Sequence, residues 1–346
     1  MRAPPERVLV AMSGGVDSSV AAALLVEAGQ EVVGATLKLW GGDSDSGCCS
    51  VSDVDDARSV ARRLGIEHHV FNFGDDFDEH VVAPYVADHA AGRTPNPCIE
   101  CNRHLKFDRL LRRADALGFG AVATGHHARI VERTDGTRRV ARGADPDKDQ
   151  SYVVHVLDAA ALARVRFPVG HLTKAEVRME AARLGLATAD KPDSQDVCFI
   201  TATGGRREFL GPRIATTPGR VVDAGGTTLG AVPAVELVTI GQRRGLGLPG
   251  GADPAYVIDI DVPGALVTVG SAADLFIESV VLQDVTWVGE PIVGELFAQT
   301  SAHGIPRRCH VAGTTVIFAE PSRRVAPGQS VVLYADDEVI GGGIVD

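Results

Sequence analysis

Along the first two hundred residues the apolar positions alternate between two periods. Val8 to Ala11 is a short continuous apolar run. From Asp17 to Ala28, the side chains of Val20, Ala21, Leu24, Leu25 and Ala28 fall on one helical stripe, and Gly29 marks its stop. Glu31 to Leu37 and His69 to Phe73 read as strands. Between them, Ser52 with Asp55 three residues on resembles a capping box, and Val54, Ala57, Ala61 and Leu64 give the apolar face of the helix that follows. Phe107, Leu110, Leu111, Ala114 and Leu117 form the next helix face, and Gly120 to Thr124 the next strand. Repeated β-α units of this kind predict an α/β fold with an open, doubly wound, mostly parallel sheet. Such sheets bind ligands at the carboxyl ends of their strands.

The texture changes near residue 205. Helical periodicity fades, Gly and Pro punctuate the chain, and short Val, Ile, Leu and Thr runs take over: Arg220 to Val222, Val235 to Ile240, Ala255 to Asp259 and Leu266 to Val269. A second series follows in Ile277 to Leu282, Leu296 to Gln299, Thr314 to Phe318 and Ser330 to Tyr334. Many short strands separated by turn residues predict small antiparallel sheets or barrels. The expected division is a first domain over 1–205, a small β-rich central domain over 206–273 and a C-terminal β-barrel over 274–346.

With 45% apolar and 23% charged residues, the composition excludes a disordered or fibrous chain. No run of about 18 apolar residues exists to span a membrane, and the amino-terminal stretch passes into polar Ser13-Gly14-Gly15 without the apolar core of a signal peptide. A cytoplasmic protein is expected. The net charge of −11 argues against a chain coated in positive charge. From Asn102 to Gly143, however, ten Lys or Arg face four acids, a local basic strip that suits either a solvated helix and hairpin or a polyanion.

Ser13-Gly14-Gly15-Val16-Asp17-Ser18-Ser19 lies between the first strand and the first helix. Its glycines permit a tight turn, the helix start offers free N–H groups to phosphate oxygens, and the serines add hydroxyl donors. Asp17 can hold Mg²⁺. The lysine of a Walker loop is missing, as is GxGxxG spacing. The string resembles the SGGxDS loop of the PP-loop ATP pyrophosphatases, which have an adenine-nucleotide α-hydrolase-like fold. The resemblance implies that Ala11, Met12 and the loop through Ser19 grip ATP.

Six cysteines, at 48, 49, 98, 101, 198 and 309, are not a disulfide framework in a chain of this size. Cys98-x-x-Cys101 has the spacing of a metal half-site or a redox pair. Thr94-Pro95-Asn96-Pro97-Cys98-Ile99-Glu100-Cys101-Asn102, Leu105-Lys106-Phe107, Thr124-Gly125-His126, Lys148-Asp149-Gln150-Ser151-Tyr152 and Asp193-Ser194-Gln195-Asp196-Val197-Cys198-Phe199-Ile200 occur in the order found in the tRNA-specific 2-thiouridylases. With the phosphate loop, the resemblance spans nearly the whole chain. It implies ATP-dependent exchange of sulfur for the C2 oxygen of the wobble uridine in a tRNA anticodon stem-loop. The chemistry is coherent: a ring carbonyl oxygen leaves poorly until adenylated, and a thiolate-derived sulfur then attacks the carbon. The base must leave its stack to be reached.

By this resemblance Cys101 is the catalytic nucleophile and Cys198 carries persulfide sulfur, the two forming a disulfide when sulfur is released. Residue 98 departs from the pattern, since many members have Asp where this chain has Cys98. Cys98, Cys101 and Cys198 can therefore ligate three irons of a [4Fe-4S] cluster whose fourth iron binds hydrosulfide. The alternatives are a cluster-free persulfide route and a zinc site completed by His104 or His126. The resemblance further implies that Leu37 and Gly125 line the adenine pocket. It assigns Asn96, Pro97, Cys98, His126, Lys148, Asp149, Gln150 and, in Pro327-Gly328-Gln329, Gln329 to contacts with tRNA. A sulfur donor such as a cysteine desulfurase or relay protein is the expected partner. Cys48 and Cys49, beside Asp53, Asp55 and Asp56, read as structural, and Cys309 as inert. Two other functions fit part of the pattern: a PP-loop enzyme thiolating a different base, and a metal-binding RNA module without catalysis, which needs no SGGVDSS loop.

Overall fold

The computed structural model describes residues 5–39, 51–193, 197–200, 205–249, 253–289 and 294–346. The chain divides into two units, one of Met1–Val82, Pro97–Thr203 and Asp337–Val339, the other of Ala83–Asn96, Gly204–Asp336 and Ile340–Asp346.

In the first unit the apolar runs become strands β1 (Arg7–Ala11), β2 (Glu31–Lys38), β3 (Glu67–Asn72) and β4 (Ala121–Ala123). A hairpin of β5 (Ala128–Glu132) and β6 (Arg138–Arg142) stands apart from the five-stranded sheet, which β7 (Val165–Arg166) completes at one edge. The order is β3-β2-β1-β4-β7, with every neighbouring pair parallel. This is the expected doubly wound sheet, and its order reverses between β1 and β4, where such folds place ligands. Helix α1 (Val16–Glu27) buries Val16, Val20, Ala21 and Ala22 against Val8, Val10 and Ala121 of the sheet. Small alanines bring the helix axis close to the strands, which fixes its first turn relative to the ends of β1 and β4.

Helix α2 (Val51–Leu64) carries Asp53 in its first turn, and Ser52 lies inside it rather than ahead of it as a cap. Ser and Asp favour a helix start both as caps and as dipole-compensating groups, so their presence does not fix which residue begins the helix. The expected helix face from Phe107 to Leu117 is divided: a wide π-helical stretch, Cys101–Arg109, runs into α-helix Leu110–Ala116. Residues 74–90, to which apolar periodicity assigned nothing, are helical as Gly74–Phe77, Asp78–Val82 and Ala83–Ala90.

Among the described residues the second unit contains two apolar cores. Strands β8 (Gly219–Val222), β9 (Thr228–Val232), β10 (Tyr256–Asp261) and β11 (Leu266–Gly270) form a sheet in the order β10-β11-β8-β9 around Val221, Val235, Val257 and Val267. Val235 to Ile240, expected as a strand, forms a short 3-10 turn over Val235–Leu237 instead. Val235 and Val238 plug the core, and the Glu236 carboxylate accepts the Thr217 N–H. A short apolar run supports either outcome.

Strands β12 (Phe276–Trp287), β13 (Leu296–Gln299), β14 (Arg307–Ala312), β15 (Thr315–Arg323), β16 (Ser330–Ala335) and β17 (Glu338–Val345) follow in the order β12-β15-β14-β13-β16-β17. The first half of β12 pairs with β15 and the second with β17, which closes the sheet into a barrel. The register shifts between Gln283 and Thr286, and Asp284 within it adopts φ 50°. Such a bulge supplies the bend that closure needs. Cys309 lies in this barrel core, where burial pushes its thiol up to about 11. Such burial disfavours the thiolate, the reactive form of cysteine.

Candidate active site

The loop after β1 is shaped from both sides. Gly14 has φ 74°, a left-handed conformation that glycine adopts without strain, and a Cβ there would stand 2.3 Å from the Asp53 carbonyl oxygen of α2. Met12 is buried, and its carbonyl accepts the Thr36 hydroxyl of β2 at 2.8 Å. The Ser18 hydroxyl accepts the Ser13 N–H at 3.2 Å, and the Ser18 and Ser19 hydroxyls donate to the Gly15 carbonyl at 3.2 and 2.8 Å. The serines therefore fold the loop onto the start of α1, whose N-cap, Gly15, makes no side-chain capping bond.

On the other side of the sheet reversal, Gly125 follows β4. A Cβ at Gly125 would lie 2.5 Å from the Ser18 nitrogen and 2.6 Å from the Asp17 carbonyl carbon, so only glycine lets this turn rest on the first turn of α1. Leu37, the other residue expected near adenine, is buried in β2.

Asp17 is the electrostatic centre of the loop. The Lys174 ammonium donates to its two oxygens at 2.7 and 2.8 Å, and His127 Nε2 lies 3.0 Å from Oδ1. Burial raises the Asp17 pKa, yet the bonds from His127 and Lys174 outweigh it and hold the carboxyl below its ordinary value. Lys174 also reaches Asp193 at 2.8 Å, and Lys148 and Arg178 each meet that carboxylate at 2.8 Å. Burial acts upward on Asp193 as well, but hydrogen bonds from Lys148 and Lys174 bring it down to about 2. Lys148 is correspondingly raised by its bond to Asp193. Lys191 donates to the Gly14 carbonyl at 3.1 Å and to Asp53 and Asp56 at 2.7 and 2.5 Å, tying the loop to α2.

The expected tRNA-contacting residues occupy different settings. His126 is buried between Phe107 and Phe167, with ring centroids 5.8 and 5.7 Å away, and its Nδ1 lies 2.6 Å from the Thr124 hydroxyl. Burial drives its pKa well below the usual value, so the ring is neutral. Asp149 accepts from Arg142 Nη1, Gly143 N, Ser151 N and Ser151 Oγ, all within 2.8–3.0 Å. Gln150 accepts the His127 N–H at 2.9 Å and returns its own N–H to the His127 carbonyl at 2.9 Å. The Lys148-Asp149-Gln150 segment thus sets the turn that presents His127 to Asp17. Asn96 and Gln329 belong to the second unit, where the Gln329 amide donates to the Thr94 carbonyl and the Thr94 N–H donates to the Pro327 carbonyl at 2.7 Å.

Cys98 is exposed on the helical turn Pro97–Glu100, with Pro97 buried beneath it. Cys101 is buried at the start of the π-helical stretch, and Asn102 anchors that stretch by donating to the Val153 carbonyl at 2.8 Å. Helices with widened turns recur at functional sites. Cys198 is half-buried in a turn held by Phe199, which packs edge-on against Phe77 at 5.6 Å. Among the described residues no three His, Cys, Asp or Glu side chains are grouped so as to hold a metal ion. His104 stacks on His80 at 4.9 Å and lies 3.3 Å from Glu100. Cys48, Cys49 and Ser194 to Asp196 lie outside the described residues.

Lys174, Asp193 as its partner, and Lys191 were not singled out from the sequence. One signal was present for Lys174. Thr173 and Glu176 make a reciprocal capping box that starts helix Lys174–Arg183, and Thr-x-x-Glu is readable in sequence.

Three family models match the chain. One described as the tRNA methyl transferase HUP domain covers residues 6–202, a tRNA methyl transferase PRC-barrel domain covers 207–271, and an aminomethyltransferase β-barrel domain covers 277–345. The chain is 48% identical over 361 residues to the tRNA-specific 2-thiouridylase MnmA of Mycolicibacterium gilvum, covering 98% of this chain and 99% of that one. It is 45% identical over 352 residues to the protein of the same name from Chloroflexus aurantiacus, covering 97% of each. With the Symbiobacterium thermophilum protein it shares 44% over 363 residues, 99% of this chain and 92% of that one.

Proposed function

The chain belongs to the tRNA-specific 2-thiouridylase family, and from that premise we infer that it catalyses ATP-dependent 2-thiolation of a tRNA uridine, with the wobble position of the anticodon as its target. The observation that carries the ATP half of this reading is the seating of Gly125 on the first turn of α1, beside the Ser13–Ser19 loop. The loop and the start of α1, with its dipole, receive the polyphosphate of ATP, which arrives with its Mg²⁺. The uridine C2 oxygen attacks the α-phosphorus, pyrophosphate departs, and the oxygen becomes part of a good leaving group. Ala11 to Ser19, Leu37 and Gly125 are the proposed nucleotide contacts. Asn96, Pro97, Cys98, His126, Lys148, Asp149, Gln150 and Gln329 are the proposed tRNA contacts, Asp149 acting through the turn it holds.

Cys98, Cys101 and Cys198 are the proposed catalytic cysteines, and the sulfur steps fall to Cys101 and Cys198. Two routes were open from the sequence. Among the described residues no three His, Cys, Asp or Glu side chains are grouped to hold a metal ion, and no step is assigned to a cluster. The persulfide route balances with the residues at hand. The terminal sulfur of a Cys198 persulfide attacks C2 and AMP leaves with the former uridine oxygen. The Cys101 thiolate then attacks Cys198 Sγ, which frees the thiocarbonyl and leaves a Cys101–Cys198 disulfide for an outside thiol to reduce. A desulfurase or relay protein would load Cys198. The domain division proposed is 1–205, 206–273 and 274–346, with the barrel gripping RNA in the cytoplasm.

The test is an anaerobic incubation with ATP, tRNA and either hydrosulfide or a persulfide donor, with iron quantified and the tRNA digested. The expected result is 2-thiouridine at the wobble site, with AMP and pyrophosphate. Sulfur found only on cytidine would overturn the target assignment, and iron-dependent product with hydrosulfide alone would overturn the persulfide route.

A further inference from the structure

A Walker-type phosphate loop carries its own lysine, whereas this loop has none between Ser13 and Ser19. Two ammonium groups approach it from later in the chain, and they differ in how their three N–H donors are spent. Lys191 gives them to three separate groups: the Gly14 carbonyl, Asp53 and Asp56. Each bond holds the loop against α2, and none can be released without breaking that attachment. Lys174 gives its donors to only two groups, because Asp17 accepts twice, at 2.7 and 2.8 Å, while Asp193 takes the third at 2.8 Å. One N–H can therefore turn away with both ion pairs intact.

Three cationic side chains gather at the start of α1, where Lys174, Lys148 and Arg178 meet the carboxylates of Asp17 and Asp193 while Asp145 accepts the Lys174 backbone N–H. Lys174 is fixed in place by its backbone, since its N–H donates to Asp145 at 2.9 Å and the Thr173–Glu176 capping box sets the helix it begins. Its side chain is only 12% exposed, so a bond from it to phosphate is little screened by water.

We propose that Lys174 is the lysine that binds the polyphosphate beside this lysine-free loop, turning one N–H from Asp17 to the β- or γ-phosphate of ATP and stabilising the pyrophosphate as it leaves. Asp193 is the positioning residue that keeps Lys174 beside Asp17 when that bond is redirected. The proposal rests on the ATP use inferred above and deepens it by naming a residue for the pyrophosphate end.

Equilibrium dialysis of the full chain with ATP, pyrophosphate and AMP, on the wild type and Lys174→Met, separates the two ideas. A charge-assisted bond to phosphate corresponds to a loss of about ten- to a hundredfold in affinity for ATP and for pyrophosphate. AMP, which lacks the pyrophosphate end, should weaken by less than about threefold. Lys174→Arg should recover most of the ATP affinity, and Lys174→Gln serves as the neutral variant if methionine prevents folding. Equal losses for ATP and AMP would show a merely structural lysine and overturn the proposal, as would unchanged ATP affinity in a folded neutral variant. Failure of the wild type to bind ATP would instead overturn the nucleotide reading itself.

Discussion

Gly125→Ala tests whether the nucleotide site depends on the close approach of the β4 end to α1. The added Cβ would meet the Ser18 nitrogen at 2.5 Å, the Asp17 carbonyl carbon at 2.6 Å and Ser18 Cα at 2.9 Å. All three are backbone atoms, so no rotamer change relieves them. Non-bonded carbon contacts settle near 3.5 Å, so the turn and the helix start must separate by about 1 Å. Overpacking of this kind costs about 1–3 kcal/mol. For a domain of about 200 residues that lowers the melting temperature by roughly 2–12 °C. The functional loss should be larger in proportion, since a 1 Å displacement of positioning groups can cost about a hundredfold in rate. Gly120→Ala, at the other end of β4, is the control, because its Cβ would find Glu6 Cγ at 3.4 Å, an ordinary contact. Thermal melts and tRNA-dependent pyrophosphate release as a function of ATP concentration read both effects. Wild-type kcat/KM for ATP and an unchanged melt in Gly125→Ala would refute the reasoning, as would equal damage from the two alanines.

Cys101→Ser and Cys198→Ser should each abolish 2-thiouridine formation while keeping a cooperative melt close to wild type; near-normal product from either would remove that thiol from the sulfur path. Asp149→Ala should strip Arg142, Gly143 and Ser151 of their shared acceptor. Removing a buried partner of this kind costs about 3–5 kcal/mol, so the melt should fall sharply, and an unchanged melt would count against the turn-holding role. Stability should also fall on acidification from about pH 6.5 to about 4, because His89 and His155 are held down to about 4 by burial. The unfolded chain then takes up protons that the folded chain refuses, so the stability lost as pH falls is regained as it rises. Melts that were flat between pH 7 and pH 4.5 would contradict those buried, neutral rings.

The parts of this molecule that could be read from sequence are those where local spacing reports local geometry. The first strand, the α1 stripe and the glycine-serine string between them are consecutive in the chain, and their arrangement places the phosphate loop at the sheet reversal without further information. The Leu296–Gln299 strand was legible for the same reason. Val235 to Ile240 was not, because valines that plug a core and valines that pair in a ladder leave the same trace in a short run. The largest gap concerned charge. Asp17 meets its partners His127 and Lys174 across 110 and 157 residues, and Lys191 reaches Gly14 across 177. No periodicity encodes such pairings; they exist only after β4 and helix Lys174–Arg183 have been brought beside β1 and α1. Asp149 is a contrasting case: its partners Arg142, Gly143 and Ser151 lie within seven residues, yet they come from a strand end and a turn whose meeting no apolar period encodes. Motif strings therefore single out the loop and the cysteines, whereas the acid that holds a turn and the distant lysine bonded to Asp17 emerge from packing alone.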